Sequence, residues 1–211
     1  MRKPTVLVFS AHNDDQIIGA GGTLAKYNAE GKKVVTVIFS NGEKSHPWQK
    51  KEITVNIRKK EAEDAARVLG GEKLIFIGLE EGKFREQIDP GKLRRLILTQ
   101  RPEKIFTHSK DDPHPDHRAV HQAVTEVMDT IHRDIPVYSF DIWNPINVRE
   151  RQRPRLVIDI TDTFQKKIEA FRCHHSQKPT LFSLMWNVYA KAIYNGLSND
   201  MRYAEIFYKI R

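Results

Sequence analysis

The sequence predicts an α/β protein, a Rossmann-like three-layer α/β/α domain with a mainly parallel sheet, and three observations carry that expectation. Short β-rich runs alternate with longer segments whose apolar residues recur at helical spacing, the signature of repeated β-α units. Glycines stand where two of the helical segments end, at Gly31 and at Gly70-Gly71. The chain has 211 residues, 39% of them hydrophobic, which suits one domain (1–211) with a core large enough to need no staples.

The elements follow in order. VLVFS at 6–10 reads as the first strand, and a helix over 17–30 stops at Gly31. VVTVIFS at 34–40 is the second strand. Over 53–69, Ile53, Ile57, Ala62, Ala65, Ala66 and Leu69 fall toward one helical face before the Gly70-Gly71 stop. Residues 73–77 read as the third strand, 90–100 as a helix and 104–107 as the fourth strand. A loop rich in Pro and Asp opens a helix at 117–131. Runs at 137–141 and 156–160 extend the sheet, and helices at 164–172 and 182–194 close the domain. Residues 41–52 and 144–154 are the least regular and read as loops.

Composition excludes several classes. Lys and Arg outnumber Asp and Glu by 35 to 27, for a net charge of +8. The charges interleave, as in RKKEAEDAAR, and no basic run alternates with aromatics, so a nucleic-acid groove is not indicated. The single cysteine, Cys173, rules out an intrachain disulfide and a Cys-rich metal site, and it fits a reducing interior. The apolar run after MRKP ends within about six residues, too short for a signal-peptide core. No segment approaches the roughly 18 apolar residues of a membrane span. The expectation is a cytoplasmic protein with no nucleic-acid or membrane partner; assembly into homo-oligomers stays open.

In open parallel sheets ligands sit beyond the carboxyl ends of the strands. Two polar clusters fall there: AHNDDQ at 11–16 after strand one, and DDPHPDH at 111–117 after strand four. Zinc without cysteine favours His nitrogen and carboxylate oxygen, and a catalytic site keeps one position open for water. His12, Asp15 and His117 supply two histidines and one carboxylate. The i, i+3 spacing of His12 and Asp15 lets both face one point as the chain turns into the helix. Asp14 is then free to act as general base on the water. His114, one turn before His117, can face the substrate as an imidazolium that stabilises an oxyanion or protonates the leaving amine. Asp116 can orient a histidine. Taken singly these residues are weak evidence, since an Asp pair before a helix is more often an N-cap. Gly19, Gly21 and Gly22 follow the acids instead of lying between strand and helix, which suits close helix–sheet packing better than a dinucleotide turn. No G-x-S-x-G elbow occurs.

Together, AHNDDQ and HPDH resemble the LmbE/PIG-L family of zinc-dependent N-deacetylases, whose first motif is A/P-H-P-D-D-E and whose second is H-P-D-H. Further matches run in order along nearly the whole chain. They are GAGGTLAK, FSNGEK, the R-x-x-E-x-x-x-A-x-x-x-L-G helix beginning at Arg58, the H-x-S-Q segment near His174, and AEIF near the C-terminus. The resemblance implies Zn2+ on His12, Asp15 and His117, with Asp14 as general base and His114 as acid or oxyanion partner. It implies Arg58 as a contact to substrate hydroxyls and an N-acetylglucosamine-type sugar or conjugate as the small-molecule substrate. Two positions depart from the pattern. Asn13 replaces Pro, which should relax the turn, and Gln16 replaces Glu, which removes a charge beside the metal and puts activity, more than metal binding, in doubt.

Trp48, in the irregular loop after strand two, is a candidate platform for a sugar face or a plug that tucks the loop onto the core. His46, His108, His121, His132 and His175 read as surface or packing residues. Rival readings are a metal-dependent hydrolase of another amide or ester, a sugar- or metal-binding protein without turnover, and a basic nucleic-acid-binding domain.

Overall fold

The computed structural model describes residues 3–45, 48–143 and 154–211, apart from the side chains of 178–182. Its strands are β1 (Thr5–Ser10), β2 (Lys33–Ser40), β3 (Lys73–Leu79), β4 (Lys104–His108), β5 (Val137–Phe140), β6 (Arg155–Asp159) and β7 (Ala204–Lys209). Its helices are α1 (Asp15–Ala29), α2 (Lys51–Val68), α3 (Phe84–Gln87), α4 (Pro90–Gln100), α5 (Pro115–Asp129), α6 (Phe164–Arg172) and α7 (Lys178–Leu197).

All seven strands form one sheet in the order β3-β2-β1-β4-β5-β7-β6. The pairs from β3 through β5 are parallel, and β7 runs antiparallel between β5 and β6. Every residue of β1 is buried, as expected of a central strand covered on both faces. One face packs Val6, Val8 and Phe106 under α1, α6 and α7; the other packs Leu7, Phe9 and Ile105 under α4 and α5. The predicted fold class is the observed one. Two elements were not anticipated: the short α3, and β7, whose Glu205 and Lys209 break up its apolar pattern. The expected final helix begins earlier and runs further, as α7. Most of the expected loop at 144–154 lies outside the described residues.

The glycines of α1 do pack the helix tightly. A Cβ at Gly19 would stand 2.3 Å from Phe140, and one at Gly22 would stand 2.7 Å from Ile160. This closeness lets two side chains reach backbone groups in the middle of α1. Lys167 Nζ donates to the Ile18 carbonyl at 2.8 Å and to Glu205 at 2.6 Å. The Gly22 and Thr23 amides donate to the same Glu205 carboxylate at 3.1 and 2.8 Å. A buried ion pair from α6 and β7 therefore grips the first helix.

A second buried acid, Glu72, has no cation among the described residues in its hydrogen-bonding shell. Burial pushes the Glu72 carboxyl up to about 7, against hydrogen bonds from Thr36 and Gln16 that act in the other direction. The Thr36 hydroxyl donates to it at 2.7 Å. Gln16 otherwise bonds Ser10 at 3.0 Å and the Asn13 carbonyl at 3.4 Å. The residue that departs from the family pattern thus serves the core beneath the site, and a glutamate there would set two acids side by side.

Two outcomes follow for stability. Gly22→Ala should destabilise the fold by about 1–3 kcal/mol, overpacking against Ile160 outweighing the helix propensity gained, as measured by urea denaturation. Because Glu72 holds its proton to a higher pH in the folded state than unfolded, its contribution erodes stability as pH rises from about 4.5 to about 7 and is constant above. Glu72→Gln should therefore leave stability near pH 4.5 little changed and raise it at pH 8 by on the order of 3 kcal/mol. Equal melting shifts at both pH values would remove the burial account.

Candidate metal centre

The switch point of the sheet lies between β1 and β4, and the loops after these strands meet there. His12 comes from the loop after β1, Asp15 opens α1, and His117 lies in the first turn of α5. His117 Nε2 is 3.2 Å from His12 Nδ1. Asp15 Oδ2 is 3.3 Å from each of those nitrogens. In a tetrahedral zinc site with bonds of about 2.0–2.1 Å, neighbouring ligand atoms stand about 3.3–3.4 Å apart. The three side chains fit a shared divalent ion.

Each imidazole is turned by a carboxylate behind it. Asp112 Oδ1 lies 2.9 Å from His117 Nδ1, and Asp116 Oδ2 lies 3.4 Å from His12 Nε2. A proton held at those outer nitrogens leaves the inner lone pairs facing one point. Asp116 is itself fixed by the Gly82 amide at 3.1 and 3.0 Å. Burial works against charging either histidine, but the acids outweigh it. Asp15 and Asp116 hold His12 well above its usual range, and Asp15 and Asp112 raise His117 to about 9. Burial likewise opposes the charge on Asp15, yet His117 and His12 hold its carboxyl well below the usual range. The pocket is built to stabilise positive charge between these groups.

Two further groupings of His and Asp overlap this one, His12 with His114 and Asp116, and His108 with Asp112 and His117. Their lone pairs are committed elsewhere. The Ala11 amide donates to His108 Nε2 at 2.9 Å, and the Asp116 amide donates to His114 Nδ1 at 3.2 Å.

Asp14 sits at the N-cap position of α1 yet makes no capping bond with its side chain, so the common structural use of such a residue does not account for it. Its Oδ2 lies 3.4 Å from Arg58 Nη2. Arg58 is buried on α2, with Nη1 3.2 Å from Glu61 and 3.4 Å from His174 Nδ1. Glu61 in turn accepts from the Ser176 amide at 2.6 Å and its hydroxyl at 2.7 Å. A run of buried polar contacts thus leads from the chain after α6 to Asp14. Asn13 joins it, its Nδ2 donating to the Arg58 carbonyl at 3.3 Å.

A cavity of about 230 Å³ opens onto the cluster, lined by Asp14, Arg58 and His114 together with Lys44, Glu81 and Trp143. His114 stacks on His117 with ring centroids 4.7 Å apart. Burial and the neighbouring His12 and His117 lower its pKa. With Nδ1 occupied as an acceptor, its proton sits on Nε2. In its neutral form His114 is thus a donor through Nε2. Trp48 is 77% exposed and is not among the lining residues; Trp143, after β5, is the indole that is. His108 is fully buried beneath the cluster, stacked on His117 at 4.1 Å, in the packing role that is one of its two expected readings. His46 lies outside the described residues. Asp112, Glu61, Glu81 and Trp143 had not been singled out. The signal available for Trp143 was its position, since residues after β5 share the edge that carries the two motifs.

A mainly parallel α/β sheet with two histidines and a carboxylate converging at its switch point defines a class of metal-centred α/β proteins. Within that class the chain belongs to the PIG-L family, whose model, described as GlcNAc-PI de-N-acetylase, matches residues 7–128. A Pseudomonas putida relative named 4-oxalmesaconate hydratase is 29% identical over 209 residues, covering 89% of this chain and 77% of its own. A Bacillus cereus relative named as a probable N-acetyl-alpha-D-glucosaminyl L-malate deacetylase is 28% identical over 186 residues, covering 82% and 83%. The solved N,N'-diacetylchitobiose deacetylase of Pyrococcus horikoshii superposes with a TM-score of 0.82 at 24% identity, covering 98% of this chain and 83% of that one. That structure supports the fold. Proteins of this family are metal-dependent. No helix among the described residues is long and apolar enough to cross a membrane.

Removing the carboxylate behind a ligand should loosen the ion without unfolding the chain. Asp112→Asn is expected to weaken divalent-cation binding by about 10–100-fold in competition with a chromophoric chelator. An unchanged affinity would show that Asp112 does not orient His117.

Proposed function

We propose that this chain, acting as one domain over 1–211, is an N-deacetylase that hydrolyses the acetamide of an N-acetylglucosamine-type sugar or conjugate. Zinc is the proposed ion, on His12, Asp15 and His117. One observation carries the reading: a buried triangle of ligand atoms with edges of 3.2–3.3 Å, flanked by an Asp14 that does no capping. The family match spans all of these residues, and several relatives are named for this chemistry.

When bound, a divalent ion polarises the acyl oxygen and lowers the pKa of a water toward about 7. The remaining work falls to this chain's own groups. Asp14 accepts a proton from the water as its oxygen bonds to the acetyl carbon. His114 donates from Nε2 to the oxygen on which negative charge develops. The carbon–nitrogen bond then breaks, Asp14 returns the proton to the departing nitrogen, and acetate and the free amine result. Arg58 keeps Asp14 aimed through its 3.4 Å contact and offers the rest of its guanidinium to substrate hydroxyls. Asp116 holds His12 in the orientation the centre needs. The indole of Trp143 supplies the apolar wall for a sugar ring, the part first considered for Trp48.

A second reading, addition of water across a carbon–carbon double bond of an unsaturated acid, is favoured by the relative named as a hydratase. The same base would deliver the water, and the same donor would meet the enolate oxygen.

The two readings separate in a substrate panel of N-acetylated sugars and an unsaturated keto acid. Acetate release is expected from the sugars. Asp14→Asn should keep its zinc and lose acetate release by about 10²–10⁴-fold. A variant as fast as its parent would remove Asp14 as the base. Hydration of the acid with no acetate from any sugar would favour the second reading.

A further inference from the structure

The outer face of α7 has a feature that no catalytic role uses. Ser183, Trp186, Ala190, Ile193 and Leu197 follow one another at steps of three, four, three and four residues, and all five are exposed. Leu184, Val188 and Ala192, on the opposite side of the helix, are buried in the core. Trp186 and Leu197 are 74% and 73% exposed, and Tyr194 and Ile193 are 54% and 41% exposed beside them. These four side chains present on the order of 500 Å² per chain, a patch of the size that marks interaction surfaces.

The chemistry of the stripe narrows what can cover it. In a chain with 62 charged residues, α7 holds two, Lys178 and Lys191. Lys191 turns inward, its Nζ donating to the Asp141 carbonyl at 3.1 Å. A helix that lies on a membrane surface pairs its apolar face with an opposite face rich in Lys and Arg, whereas the opposite side of α7 is packed in the core through Leu184, Val188 and Ala192. The stripe itself offers a charged partner no counter-charge. A three-four seam free of charge fits another seam of the same kind.

We infer that α7 pairs with α7 of a second copy of this chain, antiparallel about a two-fold axis at Ala190. In that register Leu197 falls opposite the partner's Ser183, large against small, and Tyr194 falls opposite the partner's Trp186. Alanine at the crossing lets the backbones approach. Because each contact is made twice, the pairing closes on itself. The patch supplies over half of the roughly 800 Å² that each partner contributes to a standard interface, leaving the rest to a polar rim. None of the five stripe residues carries a charge.

Sedimentation equilibrium of the full chain should give an even multiple of the chain mass. Trp186→Glu combined with Leu197→Lys should weaken the association by about 100-fold or more, since both anchors are lost, while bound metal is retained. On a Cys173→Ser background, Ala190→Cys should form an intermolecular disulfide on mild oxidation. A parent chain that stays monomeric at about 100 μM, well above the micromolar range of ordinary specific association, would overturn the proposal. So would association that survives both substitutions, which places the interface elsewhere, or an Ala190→Cys variant that never cross-links. Should the doubly charged variant fail to fold, the cross-link alone decides the matter.

Discussion

Three lone pairs aimed at one point from 3.2–3.3 Å apart repel one another, and the rest of the sheet's carboxyl edge is arranged to hold them there. The arrangement depends on the adjacency of β1 and β4, which brings together residues about a hundred positions apart in the chain. It also depends on burial. In water the carboxylate and imidazoles would be solvated separately; inside the protein they require a positive charge between them.

The supporting shell answers that requirement from several directions. Asp112 and Asp116 stand behind the two histidines, and the amide of Gly82 steadies Asp116. His108 lies flat beneath His117 and spends its own lone pair on the backbone of Ala11. Asp14 is held outside the triangle by Arg58, whose charge is shared with Glu61. The result is a site in which neighbouring carboxylates do different work. Asp15 faces the histidines, Asp14 faces an arginine and the cavity, and Asp116 faces the outer nitrogen of a ring.

The fold was legible because its signals were local and repeated: β-rich runs, helical periodicity and glycine stops at Gly31 and Gly70. The cluster was legible because His12 with Asp15, and His114 with His117, recur at one-turn spacing beside strand ends. What escaped notice depended on distance. His108 closes a strand like any polar residue, and nothing in FTHSK says that it stacks on a ring nine positions later. Glu61 sits in a helix whose mixed charges look like solvated surface, and only the packing of the segment after α6 reveals it as buried. Asp112 was one acid among several in a polar run. Strand β7 was missed because its charged Glu205 belongs to a partner in α6, and Trp143 gave no local signal, since only its place after β5 puts it at the cavity.

The grip of Glu205 on the middle of α1 has a consequence for how the molecule folds. The carboxylate that closes on the helix carrying Asp15 lies 183 positions along the chain from Gly22 and 182 from Thr23. Until β7 enters the sheet, Lys167 lacks its counter-charge. Locking α1 therefore carries the loop-closure entropy of a contact between distant parts of the chain, and the helix that holds Asp15 is secured only once β7 is in place.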